Sequence, residues 1–247
     1  FDLDKNEQIA LDGKRLSGSA NKADQSKKRD EEGHYSNLIV NAFATGSEIV
    51  LGHCDVSSKL SEIKGAKQLL EDLSVEGCCI SGDSNFCNRD FLEMIIDKRA
   101  DYLMALKGKS PFLHQASREV FAEESIPKST YETEETGHGR AEKRTYRSVS
   151  ANALDEEITG SYSNLQQVIK VTRERRITRK EEVASIEIHY YITSLTNSVE
   201  QIAHKIRGHW GIENRLHWLL DVGFGEDDNQ VRKANQASNS SLVRKMG

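Results

Sequence analysis

Gln8-Ile9-Ala10-Leu11-Asp12-Gly13 and Cys78-Cys79-Ile80-Ser81-Gly82-Asp83 share one form: a short apolar run of strand type that delivers a carboxylate. The segments around them decide the fold. Lys14 to Glu32 is polar and reads as a loop. Asn37 to Thr45 and Glu48 to Asp55 are strand-like and separated by Gly46-Ser47, a hairpin signal. Lys64 to Leu73 carries Ala66, Leu69, Leu70 and Leu73 at helical spacing and stops before Gly77. Asn88 is placed to cap a helix over Arg89 to Lys98 with Phe91, Leu92, Ile95 and Ile96 inward. Asp101 to Leu106 is again strand-like and closes at Lys107-Gly108. Strands that alternate with helices predict an α/β fold with a partly parallel sheet and crossover helices.

After Gly108 the texture changes. A helix over Pro111 to Ala122 is followed by strand candidates at Ala141 to Val149, Gln166 to Arg173 and Ser185 to Ser194, so residues 109–195 read as a β-rich insertion. From Ser198 to Leu220 a long helical pattern returns, with Ser198 as N-cap and Glu200 in the first turn. The expected core is therefore 1–108 with 196–247.

The 247 residues suffice for one large domain or two small ones. A hydrophobic share of 36% beside 30% charged residues is a globular balance, and no apolar run nears the roughly 20 residues of a membrane span. The chain opens at Phe1, without Met or a signal-peptide pattern, as a fragment or processed product does. Cys54, Cys78, Cys79 and Cys87 form no C-x-x-C pair, which disfavours a zinc knuckle and fits a reducing cytosol. A net charge of −5 excludes a uniformly basic nucleic-acid binder. Local charge is another matter. Between Lys170 and Lys180 six cations, including Arg173, Arg175 and Arg176, face one anion, Glu174, giving six minus one, or +5. Arg140, Lys143, Arg144 and Arg147 form a second patch. Such patches suit a phosphate backbone, or else form the solvated face of a hairpin. Lys22, Lys27, Lys28 and Arg29 form a smaller basic loop.

Asp12 and Asp83, at the ends of neighbouring strands, would face one crevice, where ligands of open α/β sheets bind. Alone, each also reads as a turn or capping residue, because Asp-Gly is a common turn pair. Glu213 falls within an apolar stripe of Ile202, Ile206, Trp210, Leu216 and Leu220. A carboxylate there is costly unless paired, for example with Arg207 or Arg215, or bound to a metal. Three converging carboxylates make a site for Mg²⁺, which prefers hard oxygen ligands. Two such ions clamp the attacking and leaving oxygens of a phosphodiester. Asp221, Asp227 and Asp228 read as surface acids, with Asp221 in reserve as third ligand. His209, Glu213 and His217 at i, i+4 and i+8 leave a zinc reading open.

These blocks resemble the H-repeat-associated insertion-sequence transposases. The matching residues are Ile9-Ala10-Leu11-Asp12-Gly13-Lys14 with Ser17-Gly18-Ser19; Ala42-Phe43-Ala44; Gly82-Asp83 with Cys87; Ala100-Asp101-Tyr102 through Ala105-Leu106-Lys107-Gly108; Gly137-His138-Gly139-Arg140 with Glu142; and Arg207-Gly208-His209-Trp210-Gly211-Ile212-Glu213-Asn214 with Leu216-His217-Trp218. The resemblance implies a ribonuclease H-like mixed sheet flanked by helices, interrupted by a β-rich insertion before the last catalytic helix. It implies Asp12, Asp83 and Glu213 as catalytic and metal-holding residues, with two Mg²⁺ ions for which Mn²⁺ can substitute. The implied reaction is DNA cleavage and strand transfer of an insertion sequence. Its partners would be transposon ends and target DNA, with a homodimer in the DNA complex, in the bacterial cytoplasm at the nucleoid. The expected DNA contacts are Lys14, Lys107, Arg140, Lys143, Arg144, Arg173, Arg175, Arg176, His209 and Arg215. The sequence departs from related transposases where His209 and Leu220 replace a basic pair, and at Ser84-Asn85-Phe86. A nuclease of the same fold without strand transfer, and a domesticated non-catalytic DNA-binding protein, are the other readings. No helix-turn-helix or zinc-finger spacing is present, so weak DNA binding with little sequence preference is expected.

Overall fold

A computed structural model of the chain describes residues 3–16, 19, 37–56, 61–137, 140–177, 182–231 and 236–245. The basic loop at Lys22 to Arg29 lies outside the described residues. Nine strands form one sheet. They are β1 (Gln8–Leu16), β2 (Asn37–Ala44), β3 (Ile49–Val56), β4 (Cys79–Gly82), β5 (Asp101–Leu106), β6 (Ser129–Gly137), β7 (Arg140–Ser150), β8 (Gln167–Ile177) and β9 (Glu182–Thr193), in the order β3-β2-β1-β4-β5-β9-β8-β7-β6. The β1–β4 and β4–β5 pairs are parallel, joined through α1 (Glu62–Asp72) and α2 (Arg89–Asp97); the other pairs are antiparallel. The mixed sheet flanked by helices is the expected fold class. The strands of the 109–195 excursion extend the same sheet, because β9 pairs with β5 from Leu103↔Thr193 to Leu106↔Tyr190.

A period of two divides the strands between the two faces. Ile9 and Leu11 join Val40, Ile80, Tyr102 and Met104 under α1 and α2, whose Ala66, Leu70, Phe91, Leu92 and Ile95 are fully buried. Each such Leu, Ile or Phe side chain contributes about 1.5–3 kcal/mol on burial. Asn88 caps α2 by accepting from the Phe91 N–H at 3.1 Å. Beyond β5, α3 (Pro111–Ala122) and the short α4 (Glu156–Thr159) cover the same side, with Phe121 against Tyr190.

The other face lies under α5 (Val199–His209). Ser198 caps it in a reciprocal box with Gln201, and Ile202, Ala203 and Ile206 pack on Leu103, Tyr146, Ile169 and Val171. Gly208 lets the helix approach β1: a Cβ there would stand 2.7 Å from Gln8 Oε1. After Trp210 the helix loosens into π-helical winding over Ile212–His217 and Leu219–Gly223, with the Trp218 N–H reaching back to the Glu213 carbonyl. Each turn then holds an extra residue. Ile212, Leu216 and Leu220, spaced by four, become the buried line against Ala10 and Phe43. α6 (Gln236–Lys245) packs on β2 and β3. No described helix is long and apolar enough to cross a membrane.

Three expectations change. Asp12 is not at a strand end on both sides, because β1 continues to Leu16 by pairing with β2 and places Asp12 opposite Asn41. Glu213 is exposed, not buried in the stripe, because the π-helical winding rotates it off the apolar line. The acid-rich strand β6, missed in sequence, is mostly solvent-exposed and so lacks apolar alternation.

Candidate active site

The parallel ladder between β1 and β4 ends at Leu11↔Gly82, and the next residue on each strand is an aspartate. Asp12 and Asp83 therefore leave the ladder side by side. Gln8, Ala10, Asp12 and Lys14 share one strand face, as do Cys79 and Ser81 on β4, and this face meets the last helix. Gln8 Nε2 donates to Ser81 Oγ at 2.8 Å and to the Lys205 carbonyl at 2.8 Å, locking both strands to α5. Ser81 Oγ lies 3.1 Å from His209 Nδ1, and His217 Nδ1 lies 3.5 Å from Asp12 Oδ2.

The electrostatics are those of a crowded anionic pocket. Burial, then the carboxylates of Glu213 and Asp83, push Asp12 up from 3.8 to about 7; the Gly13 N–H, which it accepts at 2.9 Å, works the other way. Glu213, exposed as a residue, is raised too, by the partial desolvation of its carboxyl at the cavity wall and then by Asp83. Asp83 Oδ1 accepts the Asn85 N–H at 2.7 Å. Burial lowers His209 to about 4 and, with help from Lys14 and Lys245, His217 to about 3, so both rings are neutral near pH 7. They leave the pocket negative.

The competing assignments of Glu213 as an ion-pair partner fail among the described residues. Arg207 pairs with Glu135 at 3.3 Å, and Arg215 pairs with Glu48. Asp221 is engaged by Lys14 at 2.5 Å, which removes the charge a metal ligand would offer. No group of three or more described His, Cys, Asp or Glu side chains is gathered as a ready-made metal cluster, so neither the H-x-x-x-E-x-x-x-H zinc arrangement nor the three acids form a closed ligand sphere. The acids nevertheless fit a divalent ion chemically: hard oxygen donors raised first by desolvation and then by one another.

Several residues expected to contact DNA are occupied. Lys14 is 7% exposed and its ammonium lies within 3.9 Å of Glu226 and Asp227 as well as bonding Asp221, so it ties β1 to the end of the π-helical segment. His209 is turned inward onto Ser81. Arg144 pairs with Glu135 and Glu142, Arg173 with Glu187, Arg175 with Glu142, Arg176 with Glu174 and Lys143 with Glu132. Glu142 and Glu187 reach Arg175 and Arg173 from the neighbouring strands β7 and β9, so part of the +5 run is neutralised across the sheet, while Arg179 and Lys180 lie outside the described residues. Lys107 and Arg140 are exposed. Arg147 and Lys170 sit directly opposite each other, and neither has an ion-pair partner among the described residues. Arg144, Arg173, Arg175, Arg207 and Trp210 line a cavity of about 310 Å³ that opens beside Glu213.

Sequence reasoning missed Glu62 and Asn41. Glu62, 3% exposed at the start of α1, takes the Asn85 side-chain amide at 3.0 Å and adds to the repulsion on Asp12. Its carboxylate fills the space beside Gly13, where a Cβ would stand 2.2 Å from Glu62 Oε1. Asn41 was legible as the lone polar residue in Leu38-Ile39-Val40-Asn41-Ala42-Phe43 and is fully buried.

The sequence profile of a family described as "Transposase DDE domain" matches residues 4–246. YncI of Escherichia coli O157:H7, named as a transposase, is 33% identical over 243 residues, covering 96% of this chain and 60% of its own length. YhhI of Escherichia coli K12, named as an H repeat-associated transposase, is 32% identical over 247 residues, covering 98% of this chain and 63% of its own. The chain thus spans about three fifths of these relatives. The cryo-EM structure of a piggyBac transposase synaptic complex with hairpin DNA is similar in fold, with a TM-score of 0.50 at 8% identity over 98% of this chain and 45% of that one.

Proposed function

Because the chain belongs to the transposase DDE domain family, we propose that it cleaves DNA at the ends of an insertion sequence and joins the freed 3′ ends to target DNA, with Asp12, Asp83 and Glu213 holding Mg²⁺. The observation that carries this is the exit of Asp12 and Asp83 side by side from the β1–β4 ladder, with Glu213 close enough to raise Asp12. Divalent ions held there would activate the attacking oxygen and neutralise the leaving one. The chain's own part is to hold three acids on elements of different kinds. Asp12 comes from strand β1, Asp83 from the residue that follows β4, and the third acid from a π-helical turn, a winding often found at functional sites. His217, neutral, meets Asp12 without neutralising it. Residues 1–108 and 196–247 carry the chemistry, and the 109–195 excursion contributes DNA contacts, with a homodimer assembling on the two ends in the bacterial cytoplasm.

The test is incubation with a plasmid carrying the element's ends and Mg²⁺. Cleavage at the ends followed by joined products supports the reading. Cleavage without joining assigns a nuclease of the same fold, and DNA binding without cleavage assigns a non-catalytic binder.

A further inference from the structure

Behind Asp12 runs a continuous line of part-buried polar side chains with the fully buried Asn41 at its centre. Lys245 Nζ, from the last turn of α6, lies 2.6 Å from Asn41 Oδ1 and 3.0 Å from His53 Nδ1. Asn41 Nδ2 lies 3.3 Å from His217 Nε2, and His217 Nδ1 lies 3.5 Å from Asp12 Oδ2. On the far side His53 Nε2 meets Ser238 Oγ at 3.0 Å. The elements come together because β2 pairs Asn41 with Asp12 on one side and with His53 on the other.

The chemistry of the donors gives this line a direction. An ammonium only donates, so the Asn41 atom facing Lys245 is the carbonyl oxygen. The amide NH₂ is thereby turned toward His217 and can only donate to it. His217 Nε2 must accept, which leaves the ring proton on Nδ1, facing the Asp12 carboxylate. Each hydrogen bond fixes the sense of the next.

We propose that Lys245 and Asn41 are positioning residues for Asp12: they set the His217 tautomer, so that a neutral N–H, not a lone pair, faces the carboxylate. An N–H 3.5 Å from Oδ2 draws the carboxylate toward it without cancelling its charge, while Oδ1 takes the Gly13 N–H. With the opposite tautomer, a nitrogen lone pair would face Oδ2 and push the carboxylate away. The C-terminal helix α6 is then part of the site, although it offers no group to substrate. This role for Asp12 rests on the proposed metal-dependent cleavage; the hydrogen-bond direction does not.

The test uses ¹⁵N-histidine-labelled protein without metal or DNA, near neutral pH. Protonated and bare ring nitrogens resonate far apart, and the His217 signal is identified by its loss in His217→Gln. Wild type should show the Nδ1–H tautomer. Asn41→Asp places an acceptor opposite Nε2 and should switch the ring to Nε2–H. Lys245→Met, which frees the amide to rotate, should give a mixture and serves if Asn41→Asp does not fold. Cleavage in Mg²⁺ should fall about 10–100-fold in either variant, the usual cost of losing a group that orients a metal ligand. An Nε2–H tautomer in wild type, or no change in the variants, overturns the proposal. Switched tautomers with full cleavage overturn the positioning role if Asp12→Asn is inactive. If Asp12→Asn still cleaves, the assignment of Asp12 to catalysis falls instead, while the tautomer result still decides the direction of the line.

Discussion

Replacing Asp12 by Asn keeps the shape of the side chain and its acceptor toward His217 but removes one negative charge from the pocket. The size of the effect follows from the raised carboxyl. Its value is about 7 folded against an ordinary 3.8, so between these values the unfolded chain gives up the proton while the folded protein keeps it. The stability contributed by the protonated carboxyl is therefore fully present below pH 3.8 and is lost as pH rises toward 7. One pH unit is worth 1.36 kcal/mol, so the total over this window is about 4 kcal/mol, of which about 3 kcal/mol falls between pH 5 and 7. Asp12→Asn lacks this loss. In chelator, its stability relative to wild type should rise by about 3 kcal/mol from pH 5 to pH 8, measured by urea unfolding. For a chain of this length that is a relative gain of roughly 6 °C in Tm. Magnesium at pH 8 should close the gap by stabilising wild type alone. A difference that does not change with pH, or one that grows toward acid, would refute the picture of an uncompensated acidic pocket.

Three further outcomes follow from the same geometry. Arg147→Glu with Lys170→Glu removes two cations that have no ion-pair partner among the described residues, and should lower the salt slope of DNA binding by about 0.9 per lost contact; Arg173→Glu with Arg175→Glu, whose parents are already paired, should change it less, and the reverse ranking in a salt titration would show that the ion pairs do not keep Arg173 and Arg175 from phosphate. Lys14→Met strands Glu226, which is 1% exposed with both carboxylate oxygens lacking hydrogen bonds; it should cost about 3–5 kcal/mol in urea unfolding, and a loss confined to DNA affinity would return Lys14 to the DNA surface. Gly13→Ala drives a methyl into Glu62 and should cost about 1–3 kcal/mol, a figure that unfolding of the metal-free protein reads directly.

The sequence carried the parts of this fold that local chemistry dictates. Asn88, Ser198 and the apolar spacing of Phe91, Leu92 and Ile95 mark α2 and α5 because caps and helical periodicity act within a few residues. Apolar runs before Asp12 and Asp83 mark buried strands. What could not be read is cross-strand. Glu142 and Glu187 neutralise Arg175 and Arg173 from 33 and 14 residues away, so a linear charge count overstated the basic patch. A regular α-helical register carried past Trp210 puts Glu213 on the buried stripe, whereas the π-helical turn moves it to the pocket's rim. Asn41 carried a signal, a single amide in an apolar strand, but its partners His217 and Lys245 lie 176 and 204 residues away.

The most direct measurement is single-turnover cleavage of a duplex carrying the element's end in Mg²⁺, comparing wild type with Asp12→Asn, Asp83→Asn and Glu213→Gln, each checked for folding and DNA binding. All three variants should bind and fold but fail to cleave, because the amide keeps the shape and removes the charge that holds the ion. Near-normal Mg²⁺-dependent cleavage by any one of them would remove that residue from the site and contradict the account.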